Sequence, residues 1–312
     1  MNEKNLIFIV SQPRSGSTYL QNLLSNNSQA NTTSETWLLL NYANQIKPKL
    51  LDAKFDNKMA AKAFEDYLSK TPDLNFKESQ KNFLLSLYAP LFQGFSHVID
   101  KTPRYWEILD ELVLLFPESK IIILKRHPLA VAKSMIKTWS IDTIERLSYF
   151  KRDLLFAPQR LHEFSLAQES NPNVYSLKYE DLVQDTASET EKVYHWLGLT
   201  FDTSILDTSK NSKYKGKFGD PFQSPEYNAG QTKKTNSGEL SAKFKNFISG
   251  YANYLGQSFL SAYGNYIVDD IKPKKTLAFA QFVHFGRERK GNYNIKKEAK
   301  YLVKEIIFRI IK

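Results

Sequence analysis

Short apolar runs alternate along the chain with stretches of helical period. Leu6-Ile7-Phe8-Ile9-Val10 is apolar throughout, which predicts a strand covered on both faces. After the turn Ser11-Gln12-Pro13, a helix is expected from Ser17, carrying Leu20, Leu23 and Leu24 inward. Residues 36–95 read as helical and irregular, with aromatic residues among lysines. A second strand is expected at His97–Asp100, then a helix from Trp106 to Phe116 that Pro117 ends. Ile121-Ile122-Ile123-Leu124 is the clearest buried strand, and Pro128 suits the first turn of the helix after it. Val174–Leu177 predicts a fourth strand, and a helix over Thr186–Leu197 should stop at Gly198. Residues 208–238, rich in Gly, Ser, Asn, Pro and Lys, predict a long loop, and Leu240–Tyr263 a further helix. This alternation predicts an α/β fold, a three-layer sandwich whose central parallel sheet is flanked by helices.

Charge placement divides the chain more sharply than hydropathy does. Residues 272–312 hold twelve of the 43 Lys and Arg and three of the 33 acidic residues, leaving 31 basic against 30 acidic in the rest. A main domain over residues 1–271 and a basic extension over 272–312 are therefore expected. A near-neutral body argues against nucleic acid as partner. In the extension, Ala299, Leu302, Val303, Ile306, Ile307 and Ile310 share one helical face, with Lys300, Lys304 and Arg309 off it. That helix is expected to dock on the body or to touch an anionic membrane or polyanion. No apolar run reaches the roughly 18 residues of a membrane span, and the chain has no cysteine. The expectation is a cytoplasmic protein without disulfides or zinc-thiolate sites. The histidines at 97, 127, 162, 195 and 284 have no ligand spacing, so no metal is expected.

The candidate chemistry begins where the first strand ends. Gln12-Pro13-Arg14-Ser15-Gly16-Ser17-Thr18 joins an apolar strand to a helix, the layout of an anion-binding loop. Gly16 permits close backbone approach, Ser15, Ser17 and Thr18 add hydroxyls, and Arg14 adds a planar cationic fork. It is not a Walker A loop, because no Lys follows Gly16 and no Gly lies five residues before it. An ATP site would also need an Asp to hold magnesium, and Asp100 is the one candidate.

Pro13–Thr18 resembles the loop that binds the 5′-phosphosulfate in sulfotransferases dependent on 3′-phosphoadenosine 5′-phosphosulfate (PAPS). Arg126-His127-Pro128 followed by Ser134 is similar to that family's second signature: Arg, then Asp, Asn or His, then Pro, with a Ser along the next helix. The resemblance covers about Leu6 to Tyr263 and is nearest to the tyrosylprotein and polysaccharide (heparan-type) enzymes. It implies a P-loop-like fold, PAPS as donor, no metal, and Arg126 and Ser134 on the donor's 3′-phosphate. It also implies that Lys101, in Asp100-Lys101-Thr102-Pro103, contacts the transferring group and that Arg14 stands where many members carry Lys. Glu35, 21 residues after Arg14, aligns with the catalytic Glu of the tyrosylprotein enzymes. The small-molecule enzymes use a His instead, for which only His97 is near. Tyr179, in Tyr179-Glu180-Asp181-Leu182, resembles a Tyr that reaches the 3′-phosphate, although a packed core tyrosine fits equally. Lys233, Lys234, Ser237 and Ser241 fall where the family has a lid. The implied reaction is in-line sulfuryl transfer to a hydroxyl or amine of a saccharide, peptide or glycoconjugate. An ATP-dependent small-molecule kinase on a related fold is the alternative.

Overall fold

Strand β1, Leu6–Ser11, is buried along its whole length, as its unbroken apolar run requires. It lies at the centre of a five-stranded parallel sheet in a computed structural model that describes residues 2–51, 53, 55–207, 218 and 219, 239–264, 272–285 and 303. The other strands are β2 (Ala30–Thr32), β3 (His97–Lys101), β4 (Lys120–Lys125) and β5 (Val174–Lys178), in the order β2-β3-β1-β4-β5. The expected α/β sandwich is thus present, with one more strand than the apolar runs indicate. Strand β2 is only Ala-Asn-Thr, too short and polar for a periodic signal.

The chain divides into two compact units, Met1–Lys125 with Gln159–Thr232, and Arg126–Pro158 with Lys233–Lys312. The first holds the sheet. On one face Ile7, Ile9, Ile99, Ile122 and Leu124 pack with helix α1 (Ser17–Ser25), whose Leu20, Leu23 and Leu24 are fully buried. On the other face Phe8 meets the rings of Tyr88, Tyr105 and Phe116 at 6.2, 6.1 and 5.6 Å. Tyr88 ends helix α2 (Phe76–Tyr88). The expected helix from Trp106 begins instead as a 3-10 turn, Pro103–Ile108, and becomes α-helical at Leu109–Leu115. The tighter turn lets the Tyr105 hydroxyl reach back to Asp100 at 3.0 Å.

The second unit is helical. Its elements include α3 (Pro128–Thr138), and its core joins Val131, Met135 and Ile136 to Phe244, Phe247, Ile248 and Phe282. The expected helix over Leu240–Tyr263 is broken at Gly256 into Ala242–Leu255 and Gln257–Ser261. Leu277–His284, inside the basic extension, packs on Ala242–Leu255 so closely that a Cβ at Gly250 would meet Phe279 Cβ and Thr276 Oγ1 at 2.4 Å. The extension's amphipathic stretch over Ala299–Ile310 lies outside the described residues, except Val303, as does the loop 208–238, except Phe218 and Gly219. Among the described residues no helix is long and apolar enough to cross a membrane.

Candidate active site

Four of the five strands deliver candidate residues within the first unit. After β1, Arg14 and Gly16 adopt left-handed backbone, with φ of 71° and 89°, and Ser15 lies between them. The Ser15 N–H donates to the Gln12 carbonyl at 3.2 Å, which closes the turn between strand and helix. Helix α1 starts at Ser17, so its open first-turn N–H groups make a positive end there. Ser17 and Thr18 are buried in that first turn. The Ser15 hydroxyl is fully buried and has no hydrogen-bond partner among the described residues. Leaving it so costs about 1–3 kcal/mol, which an anion's oxygen would recover.

Tyr179 follows β5 directly, and its ring lies on this loop. A Cβ placed on Gly16 would come within 2.3 Å of ring atoms Cδ2 and Cε2. The residue at 16 must therefore lack a side chain for two reasons, its φ and this ring.

Glu35 and Lys101, 66 residues apart in sequence, form an ion pair, with Lys101 Nζ 2.9 Å from Glu35 Oε1. The Lys101 side chain is wholly buried and that of Glu35 is 15% exposed. Lys101 ends β3 and pairs in register with Ile9, two residues before the end of β1. The Trp37 indole N–H donates to Glu35 Oε2 at 3.2 Å, and the Arg104 guanidinium lies 5.1 Å over the Trp37 ring. Both carboxylate oxygens of Glu35 are thus held. Gln21 of α1 donates to Thr32 Oγ1 and to the Thr33 carbonyl at 2.7 and 2.8 Å, so the helix that starts at the Arg14–Gly16 turn also holds the segment leading to Glu35.

Asp100 does not have the environment of a magnesium ligand. It is fully buried and accepts from four hydroxyls: Thr102 on Oδ1 at 2.7 Å, and Tyr88, Thr36 and Tyr105 on Oδ2 at 2.6, 2.9 and 3.0 Å. Burial raises its pKa, while those hydroxyls favour the charged form. His97 stands at the opposite end of β3 from Lys101, hydrogen-bonded to Ser96. Four steps of about 3.3 Å separate it from Lys101, beyond reach of the pair.

The carboxyl edge is basic beyond the expected residues. Lys125 and Lys178 are register partners on β4 and β5, and Lys125 donates to Ser165 Oγ at 2.9 Å. Burial and then the Lys178 charge lower the Lys125 pKa.

In the second unit, Arg126 directly follows β4 and is half-buried, as is Ser134 in α3. Between Arg126 and the helix, His127 Nδ1 accepts the Leu129 N–H at 3.3 Å, so His127 is the N-cap. Burial lowers its pKa to about 4, which keeps the imidazole neutral and able to accept. Asp, Asn and a neutral His are all N-cap acceptors, which gives the motif's middle position a physical reason.

Residues 6–203 match the sulfotransferase family. The chain belongs to that family. The nodulation protein NoeE of Sinorhizobium fredii (strain NBRC 101917 / NGR234) is 27% identical over 218 residues, covering 62% of this chain and 50% of the relative. An uncharacterized protein of Aquifex aeolicus is 22% identical over 215 residues, covering 67% of this chain and 28% of the relative. The chain thus spans half or less of the length of these curated relatives. Among solved structures, the sulfotransferase domain of the Synechococcus PCC 7002 olefin synthase is similar with a TM-score of 0.48 and 19% identity, covering 89% of this chain and 92% of that one. A sulfotransferase from Alicyclobacillus acidocaldarius gives 0.46 and 15%, covering 82% and 94%. A mouse sulfotransferase complexed with PAP gives 0.44 and 15%, covering 84% and 89%.

The structure of this family member brings Tyr179 onto the Arg14–Thr18 loop and Glu35 to Lys101. Arg126 and Ser134 lie in the unit described separately. Lys233, Lys234 and Ser237 lie outside the described residues, while Ser241 precedes the helix Ala242–Leu255. Sequence reasoning missed Gln21, Trp37, Tyr88 and Tyr105, and considered Asp100 only as the magnesium candidate of the disfavoured ATP site. Gln21 and Trp37 reach into the irregular segment after β2, where no period marks a side chain's direction, and Tyr88 and Tyr105 read as apolar core until their hydroxyls are seen to meet Asp100. The one usable signal was a set of hydroxyl residues flanking Asp100.

Proposed function

We propose that the enzyme moves a sulfuryl group from PAPS to a hydroxyl or amine of a saccharide, peptide or glycoconjugate. The observation that carries this reading is the ion pair of Glu35 with the wholly buried Lys101, at a strand end beside the strand that feeds the phosphate loop. The donor's fit to the loop rests on the Ser15 hydroxyl, which has no partner among the described residues, and on the N-terminus of α1, which no side chain caps.

In this reading Ser15, Gly16, Ser17 and Thr18 bind the 5′-phosphosulfate, with Tyr179 bracing the loop. Arg126 and Ser134 take the 3′-phosphate. Glu35 accepts the acceptor's proton as the acceptor oxygen (or nitrogen) bonds to sulfur and the bond from sulfur to the bridging oxygen breaks. Lys101 and Arg14 stabilise the charge that builds on that bridging oxygen, which leaves as adenosine 3′,5′-bisphosphate. The kinase reading is less favoured, because the loop lacks the Walker lysine and Asp100 gives its oxygens to four hydroxyls.

The test is calorimetric binding of adenosine 3′,5′-bisphosphate, beside ATP with magnesium, to wild type, Arg126→Ala and Glu35→Gln. The reading expects the bisphosphate to bind better, Arg126→Ala to weaken it by about 1.5–3 kcal/mol, and Glu35→Gln to retain binding. Labelled PAPS offered with saccharide and tyrosine-peptide panels should label a product with wild type and none with Glu35→Gln. Preference for ATP with magnesium, unaffected by Arg126→Ala, overturns the donor assignment.

A further inference from the structure

The carboxylate of Asp100 takes no part in the steps above, yet it is bonded to the residue beside each member of the pair that does. Thr102, which donates to Oδ1 at 2.7 Å, follows Lys101; Thr36, which donates to Oδ2 at 2.9 Å, follows Glu35. We propose that Asp100 is a positioning residue that holds Glu35 and Lys101 in register for sulfuryl transfer. This inference rests on the roles given to that pair.

Side chains alternate along a strand, so Asp100 and Lys101 leave β3 on opposite faces. The register agrees: Asp100 pairs with Phe8 of the aromatic face, and Lys101 with Ile9 of the α1 face. The ion pair is therefore tied down from behind, through the backbone of its neighbours. Two tyrosines complete the grip. Tyr88 donates to Oδ2 at 2.6 Å, and Tyr105 does so at 3.0 Å while its oxygen accepts the Leu39 N–H at 3.1 Å. Thr36 Oγ1 also accepts the Leu38 N–H at 3.1 Å. The segment carrying Glu35 and Trp37 is thereby tied to Asp100 directly at Thr36 and, through Tyr105, at Leu39, while the Leu38 N–H closes a turn within the segment.

A wholly buried carboxylate is an expensive way merely to fill space, as the upward push on its pKa records. A fully satisfied polar network gives directional restraint that an apolar residue of the same size does not. The pair needs that restraint, since its members come from different strand ends and Glu35 lies in irregular chain.

The experiment uses the full chain and PAPS with water as acceptor, following release of inorganic sulfate. It compares Asp100→Asn, Thr102→Val and Tyr194→Phe with wild type for maximal rate, for KM, for calorimetric affinity toward adenosine 3′,5′-bisphosphate and for Tm. Tyr194→Phe deletes a buried hydroxyl outside this network and serves as the stability control. The expected result is a fall in maximal rate of about 100-fold in Asp100→Asn, the scale of a misplaced reacting group. A smaller fall is expected in Thr102→Val, with KM and nucleotide affinity unchanged in both. Tyr194→Phe should lose Tm without losing rate. Rate losses that merely track Tm across the three, or an unchanged rate in folded Asp100→Asn, overturn the proposal. If Asp100→Asn does not fold, Thr102→Val against Tyr194→Phe decides. Full activity in Glu35→Gln overturns the roles of the pair themselves, and this inference with them.

Discussion

Replacing Gly16 by Ala tests whether the Arg14–Thr18 loop holds the donor as proposed. With φ at 89°, an L-residue at 16 pays about 1–2 kcal/mol for left-handed backbone. The new methyl would also sit 2.3 Å from two Tyr179 ring carbons, far inside the 3.5–4.0 Å of ordinary carbon contact. The ring must move, at a cost of about 1–3 kcal/mol for overpacking. The sum, about 2–5 kcal/mol, is read from urea denaturation and leaves a domain of ordinary stability folded. Loss of one charge-assisted bond to the donor adds about 1.5–3 kcal/mol in affinity for adenosine 3′,5′-bisphosphate, a weakening of roughly ten- to 150-fold. The double variant Gly16→Ala/Tyr179→Leu separates the two terms. Without the ring, the methyl should cost only the backbone part, giving a coupling of about 1–3 kcal/mol between the sites. If Gly16→Ala alone stays within about 0.5 kcal/mol of wild type and binds the bisphosphate normally, the loop is not gripped as described. Additivity in the double variant would remove the ring contact from the argument.

Lys101→Met should cost about 10²–10³ in kcat, the loss expected for one preorganised donor to a developing charge. Bisphosphate affinity should persist, and equal losses in both would return Lys101 to a structural role. His127 links stability to pH. Its folded pKa of about 4 lies below the unfolded 6.5, so its contribution is complete above pH 6.5 and is lost as pH falls toward 4. The full difference is at most about 3.5 kcal/mol. His127→Asn keeps an N-cap acceptor but removes the titration, so urea midpoints at pH 7 and 4.5 should differ less in the variant; equal slopes would refute this. Tyr194→Phe deletes the hydroxyl that donates to the Leu23 and Leu24 carbonyls at 2.8 and 3.2 Å, and should lower stability by about 1–2 kcal/mol with kcat unchanged.

The parts of the fold that were legible in the sequence are those where one physical signal acts alone. Strands β1 and β4 are unbroken apolar runs because both faces are covered, and Pro128 and Gly198 mark helix ends through backbone chemistry that neighbours do not alter. Strand β2 escaped notice because three residues carry no period. Its place is set by register pairing with β3 and by Thr32 Oγ1 donating to the Ile99 carbonyl at 2.9 Å. Within the site, the loop at 14–18 was readable as a local sequence of hydroxyls, glycine and a cation after a strand. The meeting of Glu35 with Lys101 was not, because it depends on how the irregular chain after β2 returns to the end of β3.

That difference explains why the site is built from both kinds of residue. Anion binding needs backbone N–H groups and hydroxyls gathered from a few consecutive positions, so one short segment can supply it. In the proposed reaction, proton transfer and charge stabilisation at one sulfur need groups approaching from separate directions, which separate strand ends can supply. Bringing them together takes a second layer of contacts: Gln21 from α1, Trp37 beside Glu35, and the hydroxyls around Asp100. These contacts have no consecutive pattern of their own. Their residue types, hydroxyls, an amide, an indole and a buried carboxylate, are those that hold direction rather than merely fill volume. A substitution among them should therefore alter rate with nucleotide binding preserved, whereas one in the loop should lose both.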